Sequence, residues 1–448
     1  MDKLSLTLVV TLALLLGNHA VHSWQDGPPP TEAAARAFLG LLAKEDFAEA
    51  RKEFDETMLK AMSQESLADV WKKLVDRLGP FQKLDKARQE KVGLYEVAIV
   101  TCVFAKDKID ARVAYKDKKV SGLFFVPVKS DVVYAAPSYV KKDAFRELDV
   151  TVGSGEWALK GTLSLPTGIG PFPAVVLCQG SGPQDRDETI GPNKPFKDIA
   201  WGLSSRGIAV LRFDRRAFTH GKKIADMIDK LTVKEEVIDD VYAAVALLKQ
   251  RQDIDASQIF VLGHSLGAML GPRMALGNPD IRGLILMAGP ARPFGDLIVY
   301  QYEYLFSLEG PLSEKNKTEL AKIKEQVARA NDPKLSPEVP AKDLPLGMPA
   351  RYWLSLRGDS PPDAAKKLKR PMLILQGERD YQVPLEEFQV WKKALSERKD
   401  VSFKSYPRLN HLFMEGAGTG KSQPKEYNQV GHVPMEVIDD IAGWVRRS

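Results

Sequence analysis

From Leu148 to the C-terminus, short apolar runs alternate with stretches of helical spacing, and this alternation constrains the fold more than any other feature. The runs Ala158–Leu165, Ala174–Cys178, Ile208–Phe213, Ile259–Leu262, Leu284–Met287, Met372–Leu375 and Val401–Tyr406 predict strands. Between them, 194–206, 233–251, 265–276, 385–397 and 434–446 read as helices. In 233–251 the burial stripe is Val237, Val241, Ala244, Val245 and Leu248. Apolar strands separated by helices make a mostly parallel sheet covered on both faces, so residues 145–448 predict an α/β domain.

The chain before this point has another rhythm. Segments 32–44 and 46–62 read as helices, the second with Phe47, Ala50, Phe54 and Met58 on one face. A third helix carries Leu67, Val70, Trp71, Leu74 and Leu78 and stops at Gly79-Pro80. The period then becomes two, through Tyr95–Val103, Ile109–Tyr115 and Val120–Val126. Helices followed by a meander predict a small α+β domain over 30–135. It contains no histidine and no paired carboxylates, which points to a structural, oligomerising or gating role.

Composition excludes some classes. Of 448 residues, 44% are apolar and 27% charged, which excludes a disordered or low-complexity chain. With 64 basic and 59 acidic residues the net charge is +5, which gives no electrostatic case for nucleic acid. Cys102 and Cys178 form no CxxC or Cys/His cluster, so no zinc site or disulfide scaffold is expected. At the N-terminus, Lys3, the apolar run Leu4–Leu16, the break at Gly17-Asn18 and the slim residues of Val21-His22-Ser23 read as a signal peptide over 1–23. The run is shorter than the roughly 20 residues of a membrane span; an uncleaved anchor is the alternative. The expectation is a secreted or periplasmic protein with no membrane span once the signal is removed.

Ligands in such sheets bind beyond the carboxyl ends of the strands. Directly after Ile259–Leu262 stands Gly263-His264-Ser265-Leu266-Gly267, a G-x-S-x-G pattern between a strand and a helix. The glycines allow a turn too tight for side chains, which lifts the serine hydroxyl above the sheet. Chance produces the five letters often; the strand–turn–helix setting makes them a nucleophile candidate, Ser265. Histidine is the usual base. His19 and His22 leave with the signal, His264 is inside the turn, and His220 comes too early for the nucleophile–acid–base order that accompanies such a turn. His411, in the loop after the last strand, is the candidate base, with His432 as the fallback. The acid belongs after Met372–Leu375, where Asp380 is the candidate and Glu378 the alternative. For an oxyanion hole, the N–H of Leu266 follows the nucleophile. A second donor falls in Gln179-Gly180-Ser181-Gly182-Pro183, with Ser181 before Gly182 in preference.

These stretches, with Gly180-Ser181-Gly182-Pro183-Gln184-Asp185-Arg186-Asp187, Arg212–Arg216, Gly377–Pro384 and Leu409-Asn410-His411, resemble the α/β-hydrolase superfamily. The similarity is to its bacterial secreted esterase/serine-aminopeptidase-like branch. Ala217-Phe218-Thr219 departs from the polar or Gly-rich turn usual there, which touches substrate contacts rather than the triad. The 30–135 segment resembles, by element order, the cystatin-like or nuclear-transport-factor-like domain often found in front of such hydrolases. The resemblance implies an α/β-hydrolase fold with a helical cap at 291–370. In that insert Phe294, Tyr300, Tyr302, Tyr304 and Phe306 either suit an acyl or aromatic ester or bury the cap against the body. Arg215, Arg216, Asp185 and Asp187 either bind a substrate charge or brace the oxyanion loop. The expected activity is cleavage of a small-molecule carboxylic ester, with no metal or organic cofactor. A peptidase of short peptides is the alternative, and a non-catalytic binding protein on this fold is the different-class one.

Overall fold

Residues 30–128, 133–308, 310–358 and 360–448 are described by a computed structural model. The expected signal segment 1–23 lies outside these residues. The chain divides after Ser130 into two compact units.

In the first unit, helices α1 (Pro30–Ala43), α2 (Phe47–Lys52), α3 (Glu56–Ala61) and α4 (Gln64–Leu78) precede strands β1 (Phe81–Val92), β2 (Tyr95–Phe104), β3 (Lys108–Lys116) and β4 (Lys119–Pro127). The strands form an antiparallel sheet in chain order. Two expectations need correcting. The single helix read over 46–62 is two, because Phe54 leaves the helix to bridge Val120. Asp55 then starts α3 afresh by accepting the Met58 N–H at 2.8 Å. The meander has a further strand, β1, whose Lys, Gln, Asp and Arg residues carry no apolar alternation. Its pairing with β2 makes it a strand. Trp71 of α4 anchors the core, with its ring 5.7 Å from those of Phe81 and Phe104.

The second unit contains β5 (Phe145–Val152), β6 (Leu159–Pro166), β7 (Phe172–Cys178), α5 (Pro195–Ser204), β8 (Ala209–Phe213), α6 (Arg216–Thr219), α7 (Gly221–Asp226), α8 (Asp239–Lys249), β9 (Ile254–His264), α9 (Leu266–Gly277) and β10 (Gly283–Met287). An insert follows, with α10 (Phe294–Ser307), α11 (Glu314–Asn331), α12 (Ala350–Leu356) and α13 (Pro361–Lys366). Then come β11 (Met372–Gly377), α14 (Leu385–Ala394), β12 (Val401–Tyr406) and α15 (Met435–Arg447). The eight strands lie in the order β12-β11-β10-β9-β7-β8-β6-β5. All neighbours are parallel except β5 with β6 and β6 with β8. Alternate residues of one strand enter opposite cores: Ile259 and Val261 pack on one face of the sheet, Phe260 and Leu262 on the other. This is the mostly parallel α/β sheet with covered faces that the apolar runs predict. The 233–251 helix departs in detail, opening with a π-helical turn at Lys234–Ile238 before α8.

Within the insert, Ile298, Ile323, Val327 and Trp353 form a small core of their own. The segment leading into β5 packs on the second unit, where Tyr134 donates to Asp198 at 2.5 Å and Tyr139 to the Val433 carbonyl at 2.7 Å. Cys102 and Cys178 are free, buried and in separate cores; burial pushes both thiols up to about 12. Among the described residues no helix is long and apolar enough to cross a membrane.

Candidate active site

Strand β9 runs straight into the Gly263–Gly267 turn, and the turn tolerates no side chain at its glycines. A Cβ on Gly263 would lie 2.3 Å from the Gly267 carbonyl oxygen, and one on Gly267 would lie 2.4 Å from that of Cys178. Ser265 between them has φ 53° and ψ −116°, a region that side chains rarely adopt. Its own N–H donates to the Met287 carbonyl at 2.9 Å, which fastens the turn to the end of β10. The Ser265 side chain is half-buried. Leu266 opens α9, so its N–H is one of the helix's unpartnered donors.

Strands β11 and β12 deliver the other two candidates. A Cβ on Gly377 would lie 2.5 Å from the Leu409 carbonyl oxygen, so the loops after these strands are in direct contact. Asp380 is fully buried. Its Oδ1 accepts the N–H groups of Gln382 at 2.7 Å and Val383 at 2.9 Å. Its Oδ2 is 2.6 Å from His411 Nδ1. With Asp380 Oδ2 as the acceptor, a neutral His411 imidazole would carry its proton on Nδ1 and its lone pair on Nε2. Asn410 shapes the His411 loop by accepting the N–H groups of Leu412 and Met414 at 2.9 and 3.2 Å. The alternatives turn elsewhere. Glu378 accepts from the Ser405 hydroxyl at 2.7 Å, and His432 pairs with Asp198 at 3.1 Å.

The structure joins His411 to Asp380 directly and to the elbow through His264, whose Nε2 is 2.8 Å from the His411 carbonyl oxygen. Among the described residues no hydrogen bond joins the Ser265 hydroxyl to His411.

The loop after β7 lies against the elbow, since a Cβ on Gly180 would come within 3.1 Å of the Ser265 Cβ. Gln179 donates to the Phe213 carbonyl at 2.6 Å and ties this loop to the end of β8. The Gly180 N–H is taken by Glu188 Oε1 at 2.7 Å, which makes Ser181 the next donor along the loop. Ser181 is exposed, and Gly182 takes φ +95°.

The charged residues nearby have internal partners. Arg215 pairs with Glu236 at 2.8 Å, Arg216 with Asp240, and Asp187 with Arg212 and with Lys194 at 3.0 Å. Asp185 accepts the Thr189 hydroxyl at 2.7 Å. Asp185, Asp187 and Arg215, which also donates to the Gly180 carbonyl, therefore brace the loop, whereas Arg216 is tied to α8. Glu236 also accepts the Tyr352 hydroxyl at 2.8 Å, linking the insert to this network. The aromatic residues of α10 are engaged as well: Tyr304 stacks on Tyr381 at 5.1 Å, and Phe306 is fully buried. Sequence reasoning passed over Glu188 and Glu387. Glu387 accepts the N–H groups of Ala291 and Arg292 at 2.8 and 3.0 Å where the insert begins. No spacing marks either residue; they matter because the fold brings distant backbone to them.

Two family models match the chain. One, described as serine aminopeptidase, S33, covers residues 193–416; the other, a protein of unknown function (DUF3887), covers residues 35–123. Esterase EstD of Thermotoga maritima is 40% identical over 443 residues, 98% of this chain and 99% of that one. A monoacylglycerol lipase of Mycolicibacterium smegmatis is 24% identical over 56% of this chain and 82% of its own length. The solved Pyrococcus furiosus esterase PF2001 is 18% identical and covers 71% of this chain and 97% of its own, with a TM-score of 0.42.

Proposed function

This chain belongs to the serine aminopeptidase S33 family of α/β-hydrolases, and from that premise we propose that it cleaves carboxylic esters by a Ser265–His411–Asp380 triad. In this reading Ser265 Oγ attacks the acyl carbon while His411 Nε2 takes its proton. The N–H groups of Leu266 and Ser181 receive the oxyanion. The imidazolium then protonates the departing alcohol, and water activated by His411 frees the acid. Asp380 holds the imidazole tautomer and stabilises its charged form. Substrate, water and these side chains account for every atom moved, so the scheme calls for no cofactor.

The observation that carries the reading is the 2.6 Å contact of a fully buried Asp380 with His411, in loops beside a strained strand–turn–helix serine. The esterase name of a relative matching nearly the whole chain supports ester over amide. The family description favours a second reading, cleavage of short peptides by the same groups. Both are tested by turnover of p-nitrophenyl esters of increasing acyl length beside aminoacyl p-nitroanilides, with fluorophosphonate labelling of Ser265. Ester turnover with labelling is expected. Labelling with turnover of anilides alone would replace the esterase reading by the peptidase one, and neither labelling nor turnover would remove both. The Lys3 to Ser23 pattern further supports export to the periplasm or medium. The exported protein is then expected to begin near Trp24 by mass spectrometry; a retained Met1 in that fraction overturns it.

A further inference from the structure

One buried pair of ionisable groups outside the proposed triad touches three parts of the site. His264 precedes Ser265 and is 4% exposed; Glu188 is 1% exposed. His264 Nδ1 lies 3.0 Å from Glu188 Oε1, and Nε2 lies 2.8 Å from the His411 carbonyl oxygen. Both neighbours are acceptors. A neutral imidazole has one N–H and one lone pair, so alone it satisfies only one of them. Both contacts become hydrogen bonds when the pair holds two protons, one on Nε2 and one between Nδ1 and the carboxylate. Glu188 Oε1 also accepts the Gly180 N–H at 2.7 Å, and the Gly180 carbonyl accepts from Arg215. Gly180, the residue before Ser181, is thus held at both its N–H and its carbonyl. Glu188 is held at φ 51°, a conformation that persists only where surroundings enforce it.

We propose that His264 and Glu188 are positioning residues for ester hydrolysis. Their two shared protons tie the Gly180 peptide and the His411 peptide to the serine turn, so that oxyanion donors and base meet substrate in one geometry. The proposal rests on the reading of Ser265 and His411 as nucleophile and base. No proton leaves the pair during turnover. The ionisable groups facing the His264 ring are Glu188, the His411 imidazole with ring centroids 4.6 Å away, and, farther off, Asp380. Burial pulls the His264 pKa down, but the Glu188 carboxylate and the His411 carbonyl outweigh it and hold it above the ordinary 6.5. The pair is neutral overall, so a charged His411 would not face a lone cation.

The test starts from wild-type turnover of p-nitrophenyl acetate and fluorophosphonate labelling. An inert wild type removes the esterase reading and this proposal together; an active wild type with indifferent variants removes this proposal alone. In His264→Asn the side chain still reaches Glu188 but no longer His411. Its kcat is expected to fall about 10²-fold, as for a misplaced catalytic group, with KM within about threefold. Glu188→Ala should fall likewise. Glu188→Gln can accept from Gly180 and donate to a neutral His264, so it should lose no more than about tenfold. A folded His264→Asn with kcat within about twofold of wild type, or equal losses in Glu188→Gln and Glu188→Ala, overturns the proposal. If His264→Asn does not fold, NMR of the histidine-labelled wild type decides. Two protonated ring nitrogens on His264 at neutral pH are expected, and a single N–H overturns the shared-proton arrangement.

Discussion

Ser265 and Asp380 should respond differently to conservative substitution, because in the proposed mechanism one forms the bond to the acyl carbon and the other holds a tautomer. Ser265→Ala removes the attacking oxygen and almost no volume, so kcat on a p-nitrophenyl ester should fall about 10⁶-fold while circular dichroism stays unchanged. Residual activity above about a thousandth of wild type would mean another nucleophile. Asp380→Asn keeps the shape but presents an amide to His411 Nδ1, which favours the wrong tautomer; a loss of about 10⁴ in kcat is expected. The N–H groups of Gln382 and Val383, which converge on Asp380 Oδ1, hold the residue in place in either form. If Asp380→Asn kept full activity, Asp380 would be only a loop cap.

At the scale of elements, the junctions between strands and helices bear the tightest constraints. Gly267 sits where α9 crosses the end of β7, and an added Cβ would meet the backbone oxygen of Cys178 at 2.4 Å and its sulfur at 2.9 Å. Backbone cannot yield there without displacing the central strand, so Gly267→Ala should lower stability by about 3 kcal/mol or more, read from the denaturant midpoint. A midpoint equal to wild type would contradict this packing. A second junction ties α5 to the segment entering α15: buried Asp198 accepts from Tyr134, from His432 and from the Val433 N–H. The hydrogen bond to Asp198 holds the His432 pKa above the ordinary 6.5. A raised folded-state pKa contributes stability that is complete below the unfolded value near 6.5 and disappears as pH rises through the folded value. Thermal unfolding followed upward from pH 5.5 should therefore lose more Tm in wild type than in His432→Asn. Parallel profiles would show that the pair carries no linkage.

Across the whole molecule, the candidate catalytic groups Ser181, Ser265, Leu266, Asp380 and His411 all lie in the unit after Ser130. The two units have separate sheets and separate buried clusters, Trp71 anchoring one and the eight-stranded sheet the other. Tyr134 and Tyr139 belong to the packing of the second unit, so a truncated chain should keep them. A chain beginning at Val133 is expected to fold and to retain kcat on a small soluble ester within about tenfold, because no reacting group has been removed. A folded, fluorophosphonate-reactive truncation without turnover would show that the first unit completes the active site.

The α/β class, the chain order of the apolar strands β6 to β12, and the strand–turn–helix around Ser265 were legible in the sequence alone, whereas the polar-flanked β5 was not. Each depends on neighbours in the chain: apolar runs, helical spacing, and glycines two residues either side of a serine. The tertiary structure decided what depends on distant residues. It split 46–62 at Phe54, whose bridge partner Val120 is far along the chain, and it made a strand of the polar Phe81–Val92 by pairing it with β2. It turned Asp380 toward His411 and Glu378 toward Ser405, a choice that two carboxylates in one loop cannot express in sequence. It also brought Glu188 to His264 across 76 residues. Local propensity acts along the backbone and can be read there. A hydrogen-bond partner is fixed only when the sheet closes and buried polar atoms must find one another.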